Sequence, residues 1–221
     1  MIHPVIAIDG PSASGKGTVA KFLAEKLNFV HVDTGAMYRA FAWQALKKKV
    51  DATSRDAVKK LIEETKFEVK IEGKSAVFLI DGENVEPHIR SEQVNKVVSM
   101  ISAIPELREY LVNRQRQLRL QAPLVMDGRD IGTVVATDSP YKFFLDASPE
   151  VRAARRRKQG QADVIAQRDK QDSTRAVSPT IRAADAEYVD TGAMTAQEVA
   201  EHVKKRIIEK GFLKQKAVSP V

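Results

Sequence analysis

The chain has no cysteine among its 221 residues, which excludes disulfides, thiolate metal sites and cysteine nucleophiles. That fits a reducing compartment, and the cytoplasm is the expected location. No apolar run approaches the roughly 18–20 residues that a membrane-spanning helix needs. The opening MIHPVIAIDG has neither a basic leader nor a small-residue cleavage site, so it does not read as a signal peptide. Low-complexity tracts are absent. The four histidines, His3, His31, His88 and His202, are scattered and form no ligand pattern, so no protein metal site is expected. What is present suffices for one domain with a small inserted subdomain: 43% of the residues are hydrophobic. The 36 lysines and arginines exceed the 29 acids and leave a charge of +7. A negatively charged partner fits this excess, and so does an ordinary basic surface.

The hydrophobic pattern alternates between strand and helix. PVIAID (4–9) is a short β-branched run. A Gly/Ser-rich turn follows, then KGTVAKFLAEKL, with Val19, Leu23 and Leu27 at helical spacing. FVHVD (29–33) predicts a second strand and GAMYRAFAWQALKKK a second helix. This is the start of a parallel α/β sheet. SRDAVKKLIEET then predicts a short helix. FEVKIEGKSAVFLIDGENV predicts hairpins turning at Gly73-Lys74 and Asp81-Gly82, so residues 61–87 read as an insertion. Ser91 opens a helix ending near Ile104, and Pro105 opens another, PELREYLVNRQRQLRLQ. PLVMD (123–127), YKFFLDAS (141–148) and EYVDT (187–191) restore the strand rhythm. Ser148-Pro149 opens a helix, and residues 155–175 are charged and predicted helical. Thr195 and Glu198 predict a capping box for the last helix. The tail after Phe212 reads as frayed.

Between the first strand and helix lies GPSASGKGT: Gly10, Pro11, Ser12, Ala13, Ser14, Gly15, Lys16, Gly17 and Thr18. Such a loop wraps backbone N–H groups around a polyphosphate, assisted by the helix N-terminus, and Lys16 reaches the β- and γ-phosphates. The spacing matches the P-loop, except that Gly17 stands where Ser or Thr is usual and Thr18 follows one place later. Asp127, ending PLVMD, resembles the acidic metal-facing strand end of P-loop proteins. No N-K-x-D base reader accompanies the loop, since NKVV at Asn95 fails the pattern. Transfer to a small acceptor therefore leads. Arg39, Arg129, Arg168 and Arg175 supply the cations that such transfer needs around two mutually repelling phosphates.

The hexapeptide VDTGAM occurs at 32–37 and again at 189–194. The first copy runs into Tyr38-Arg39, the second into the cap Thr195–Glu198. Similarity stops outside the hexapeptide, so the first reads as functional and the second as structural.

Over nearly its full length the sequence resembles the bacterial cytidylate kinases, nucleoside monophosphate kinases of the P-loop class. The resemblance is carried by IDGPSASGKGT, DTGAMYR, IPELREYLVNRQR, MDGRDIGTVV, FFLDASPEVRAARR and RDKQDSTRAVSP. It implies an α/β P-loop three-layer sandwich with a parallel central sheet. An inserted NMP-binding subdomain (61–87) and a short helical lid (151–175) would join a core of 1–60, 88–150 and 176–212. It also implies ATP, with bound Mg²⁺, on Gly10–Thr18, and CMP or dCMP as acceptor. Thr34 and Arg39 would meet the CMP phosphate and sugar side. Ser99 and Arg108 would hold cytosine and phosphate, and Arg129 and Asp130 would read CMP. Asp172 and Arg175 would grip the ribose. Lys16, Arg129, Arg155 and Arg168 would carry catalysis, the last two as lid arginines. A monomer without nucleic-acid or membrane partners is expected. Two departures stand out: Ala13-Ser14 replaces Gly-Ala inside the P-loop, and QGQADVIAQRD is a shortened lid segment. Another small-molecule P-loop kinase, or a nucleic-acid binder using RAARRRK, stays open on the residues alone.

Overall fold

The computed structural model of the chain describes residues 2–158 and 165–212, apart from the side chains of residues 165, 167 and 168. The expected frayed tail and the middle of the lid segment lie outside the described residues. Strand β1 (Val5–Asp9) passes through the glycine-rich turn into α1 (Lys16–Leu27). Strand β2 (Val30–Asp33) enters α2 (Thr34–Lys47) with no linker, because the Asp33 carboxylate accepts the Ala36 N–H at 3.0 Å and caps the helix at once. After α3 (Arg55–Glu64) come β3 (Phe67–Glu72), β4 (Ser75–Ile80) and the short β5 (Glu83–Asn84). Helices α4 (Glu92–Ile101) and α5 (Pro105–Leu118) precede β6 (Leu124–Gly128) and β7 (Tyr141–Asp146). The chain continues through α6 (Pro149–Lys158), α7 (Ile165–Ser173), β8 (Glu187–Asp190) and α8 (Ala196–Glu209). No helix among the described residues is long and apolar enough to cross a membrane.

The sheet order is β3-β4-β2-β6-β1-β7-β8, with β5 folded back on β4. From β4 to β8 neighbouring strands run parallel, and β3 is antiparallel to β4. Successive side chains of a strand point to opposite faces, and this divides the core. Val5 and Ala7 pack with α2, α4 and α5, while Ile6 and Ile8 pack with α1 and α8. Each fully buried Ile, Leu or Phe stabilises this three-layer arrangement by about 1.5–3 kcal/mol. Such a sheet binds ligands beyond the carboxyl ends of its strands, and the glycine-rich turn lies there.

Some expected boundaries move for identifiable reasons. Helix α4 stops at Ile101, short of Ile104, because Ile104 precedes Pro105 and takes the extended conformation (φ −71°, ψ 119°). The hairpin at 67–80 forms as read, with Asp81 (φ 52°) and Gly82 (φ 83°) in the left-handed region at the turn into β5. It also extends the central sheet. His31 pairs with Ser75, and the His31 N–H donates to the Lys74 carbonyl at 2.9 Å. After β6 the chain makes a π-helical turn, Ile131–Val135, that the hydrophobic pattern does not announce. Its Ala136 N–H reaches the Ile131 carbonyl at 2.7 Å. Turns of this kind concentrate at functional sites.

Candidate active site

The cradle is built by sterics and by hydrogen bonds from outside. A Cβ on Gly10 would lie 2.0 Å from the Leu145 carbonyl oxygen, so only glycine fits there. Gly15 (φ 89°) caps α1 without a side-chain acceptor, which leaves the first N–H groups of the helix directed at a ligand. Carbonyls of the loop are engaged from behind. Arg152 donates to the Ser12 carbonyl at 3.3 Å, and Thr191 Oγ1 to that of Ser14 at 2.8 Å. Lys16 Nζ donates to the Pro11 carbonyl at 2.9 Å. Ala13, where the resemblance expects glycine, sits at φ 60°. A Cβ in the left-handed region costs about 1–2 kcal/mol. The loop tolerates that strain, and its neighbour Ser14 keeps a buried hydroxyl with no hydrogen-bond partner.

In front of the cradle opens a cavity of about 640 Å³. Its walls bring together the cradle, the start of α2, the α4–α5 corner, the segment after β6 and the end of α7. Thr34, Arg39, Ser99 and Arg108 all line it, as do Arg129, Asp130, Asp172 and Arg175. Thr34 is buried and its hydroxyl donates to the Asp127 carbonyl at 2.8 Å. Arg39 donates to Asn95 Oδ1 at 2.5 Å. Arg108 is clamped between the Ser102 carbonyl (3.0 Å) and Asp130 Oδ2 (2.6 Å), with the Tyr38 ring 5.0 Å away. Arg129 Nε donates to Asp172 Oδ2 at 2.9 Å. Burial, with Arg108 and Arg129 nearby, pulls Arg175 below the usual arginine range. The lysines and arginines lining the cavity outnumber its acids, and such a pocket favours an anion.

The π turn is fastened from the neighbouring strand. The Asp9 carboxylate accepts the N–H groups of Ile131 (2.8 Å) and Gly132 (2.7 Å). Burial pushes this carboxyl up to about 7, against the lowering effect of those two hydrogen bonds. Gly128 is equally constrained, since a Cβ there would lie 2.6 Å from Thr34 Oγ1.

Of the two expected lid arginines, only Arg155 has a described side chain. Arg155 does not stand over the cavity. Its guanidinium lies behind the cradle, donating to the Thr191 carbonyl at 2.6 Å and to Thr191 Oγ1 at 3.0 Å, with the Ser14 carbonyl 3.4 Å away. Arg156, one residue on, lines the cavity instead. Adjacent helical positions point about 100° apart, so only the phase of α6, which the sequence alone did not determine, selects between them. Arg152 precedes Arg156 by one helical turn and is likewise buried, donating to Asp169 Oδ2 at 2.5 Å. The Arg168 side chain lies outside the described residues. Sequence reasoning also missed Arg90, which lines the cavity and donates to Asp33 Oδ2 at 2.8 Å. Only the fold brings this β5–α4 connection to the end of β2. Tyr38, inside DTGAMYR, lines the cavity as well.

An amide cradle facing a cluster of guanidinium groups, across the carboxyl edge of a parallel sheet, defines a P-loop phosphotransferase for a small anionic acceptor. More specifically, residues 6–209 match the cytidylate kinase family, and the chain belongs to it. A cytidylate kinase from Pelotomaculum thermopropionicum is 44% identical over 217 residues, covering 92% of this chain and 96% of that protein. One from Bacillus velezensis is 42% identical over 216 residues, covering 93% and 96%. A solved structure of an uncharacterized protein from Eubacterium ventriosum shares the fold at a TM-score of 0.51 and 14% identity, covering 94% of this chain and 99% of that one.

Proposed function

We propose that this chain transfers the γ-phosphoryl group of ATP to CMP, and to dCMP, giving ADP and CDP or dCDP, a step of pyrimidine nucleotide metabolism. The observation that carries the reading is the shared cavity: every residue assigned to the acceptor by family resemblance lines the same space as Lys16 and the cradle. ATP lies with its phosphates on Gly10–Thr18, and Lys16 exchanges the Pro11 carbonyl for phosphate oxygens. The CMP phosphate meets Thr34, Arg39 and Arg129, and the base meets Ser99, Arg108 and Asp130. Asp172 and Arg175 hold the ribose. A carboxylate has about four lone-pair sites, so Asp172 can keep Arg129 Nε and still accept from a hydroxyl.

A CMP phosphate oxygen attacks the γ-phosphorus in line, and the bond to the β-phosphate oxygen breaks. The second ionisation of a phosphate monoester lies near pH 6, so no dedicated general base is needed. The fixed guanidinium groups offset charge repulsion between the two phosphates and stabilise the charge of the transition state. Arg156 takes the cavity side of α6 while Arg155 braces the cradle; the catalytic role expected of Arg168 falls on a side chain outside the described residues. The division into core, insert (61–87) and lid (151–175) belongs to the same reading, as do a cytoplasmic location and a monomeric state.

Mg²⁺ fits as part of the nucleotide. Asp127 is a buried acid whose Oδ1 lies 2.7 Å from His31 Nε2, and its Oδ2 is 3.5 Å from the Cβ position of Gly17. Among the described residues there is no cluster of three acidic or histidine side chains that could hold an ion. Asp127 would offer the ion one oxygen, and phosphates and water the rest. When bound it neutralises phosphate charge. A coupled assay with CMP, dCMP, UMP, AMP and shikimate tests the reading. Turnover should be fastest with CMP and dCMP, and preference for AMP or shikimate would overturn it.

A further inference from the structure

We propose that Asp9 is a positioning residue of the transfer reaction, fastening the acceptor-reading segment 128–132 to the first residue of the phosphate cradle. This rests on placing Arg129 and Asp130 against the acceptor. The opening N–H groups of a helical turn need acceptors, and a preceding Asp side chain commonly supplies one. Here Asp130 does not: its side chain caps no N–H of the turn and instead accepts from Arg108 at 2.6 Å. Asp9 does so from the adjacent strand, one oxygen to Ile131 N–H and the other to Gly132 N–H. It is followed directly by Gly10, whose position is fixed by the Leu145 carbonyl. One side chain therefore anchors the donor loop and the acceptor loop to each other. In-line transfer demands that relation, since a misplacement of about 1 Å can cost on the order of 10²-fold in rate.

The ionised form is the anchoring form. A protonated carboxyl carries hydrogen on one oxygen, which becomes a much poorer acceptor, so one of the two amide bonds weakens. The charged groups facing Asp9 are Lys16 from the start of α1, Asp130 from the turn and Lys142 from β7, whose Cδ lies 3.2 Å from the Cβ position of Gly132. Burial brings the titration to about 7, so the anchor forms across neutral pH.

Asp9→Asn offers one acceptor and one amide donor to the two N–H groups. It should lower kcat by about 10²-fold while ATP binding, read by calorimetry, stays unchanged. The wild-type to variant ratio of kcat should grow as pH rises through neutrality. Titration of the CMP phosphate is common to both enzymes and cancels. A ratio independent of pH marks a merely structural role and overturns the proposal. A readout without mutation covers the case of a variant that does not fold. In wild-type protein at about pH 8, where Asp9 is ionised, the Ile131 and Gly132 amide protons should exchange slowly with solvent, and rapid exchange of both would overturn the anchor. Arg129→Ala, assayed alongside, separates the two ideas. If it is crippled while Asp9→Asn is normal, only the Asp9 proposal fails; if both turn over normally, the acceptor assignment fails beneath it.

Discussion

The two VDTGAM segments end parallel strands of one sheet with the same six residues, yet they serve opposite sides of the site. At the end of β2, Asp33 caps α2 and pairs with Arg90, and Thr34 lines the cavity. At the end of β8, Asp190 closes a tight turn onto the Gly192 N–H, and the helix waits for the Thr195 cap. Thr191 there is buried beneath the donor loop, bonded to the Ser14 carbonyl and to Arg155. In sequence the second copy reads as structural and has no basic neighbour. The fold supplies that neighbour from α6. Identical local chemistry acquires different contacts from the strand that carries it: β2 lies on one side of β1, and β8 beyond β7 on the other.

Paired substitutions sharpen this contrast. The largest expected effect is kinetic. Thr34→Val removes a cavity hydroxyl and its bond to the buried Asp127 carbonyl, at up to about 1.5 kcal/mol. The KM for CMP should rise by up to about tenfold, with the KM for ATP unchanged. Thr191→Val should show the mirror image, raising the KM for ATP and leaving that for CMP alone. If both variants moved the same constant, the division into acceptor and donor copies would be broken.

A smaller effect distinguishes the aspartates. Asn remains a good N-cap, so Asp33→Asn isolates the pair with half-exposed Arg90, worth about 1 kcal/mol or less. Although burial opposes its charge, Arg90, with help from His31 and the Ala36 N–H, holds the Asp33 carboxyl below the usual range. A depressed carboxyl stabilises the fold above its unfolded value of 3.8 and loses that contribution as pH falls through the lower folded value. Denaturation midpoints for Asp33→Asn should therefore fall below wild type at neutral pH and converge with it in strong acid. Asp190→Asn, at an exposed turn, should stay within about 0.5 kcal/mol throughout. Equal losses from the two variants would erase the contrast.

Much of the site was legible because it is local. The P-loop, DTGAMYR and DGRD each place their groups within a few residues of a strand end, where periodicity locates them. The strands of the hairpin at 67–80 and the Thr195–Glu198 box are equally local signals. What escaped depends on long-range geometry. The Asp9 bonds to Ile131 and Gly132, the Arg90 bond to Asp33 and the single pairing of His31 with Ser75 all join segments that are distant in sequence. Which of Arg155 and Arg156 lines the cavity was not legible, because a charged helix with weak apolar periodicity leaves its phase undetermined.

Initial rates of ADP formation from Mg·ATP and CMP, for wild type beside folded Arg129→Ala, test most directly whether converging guanidinium groups present the acceptor to the cradle. CDP should accumulate with wild type, and the variant should be slower by about 10³-fold or more at an unchanged melting temperature. Equal rates for the two proteins, or a wild-type enzyme that leaves CMP untouched, would contradict it.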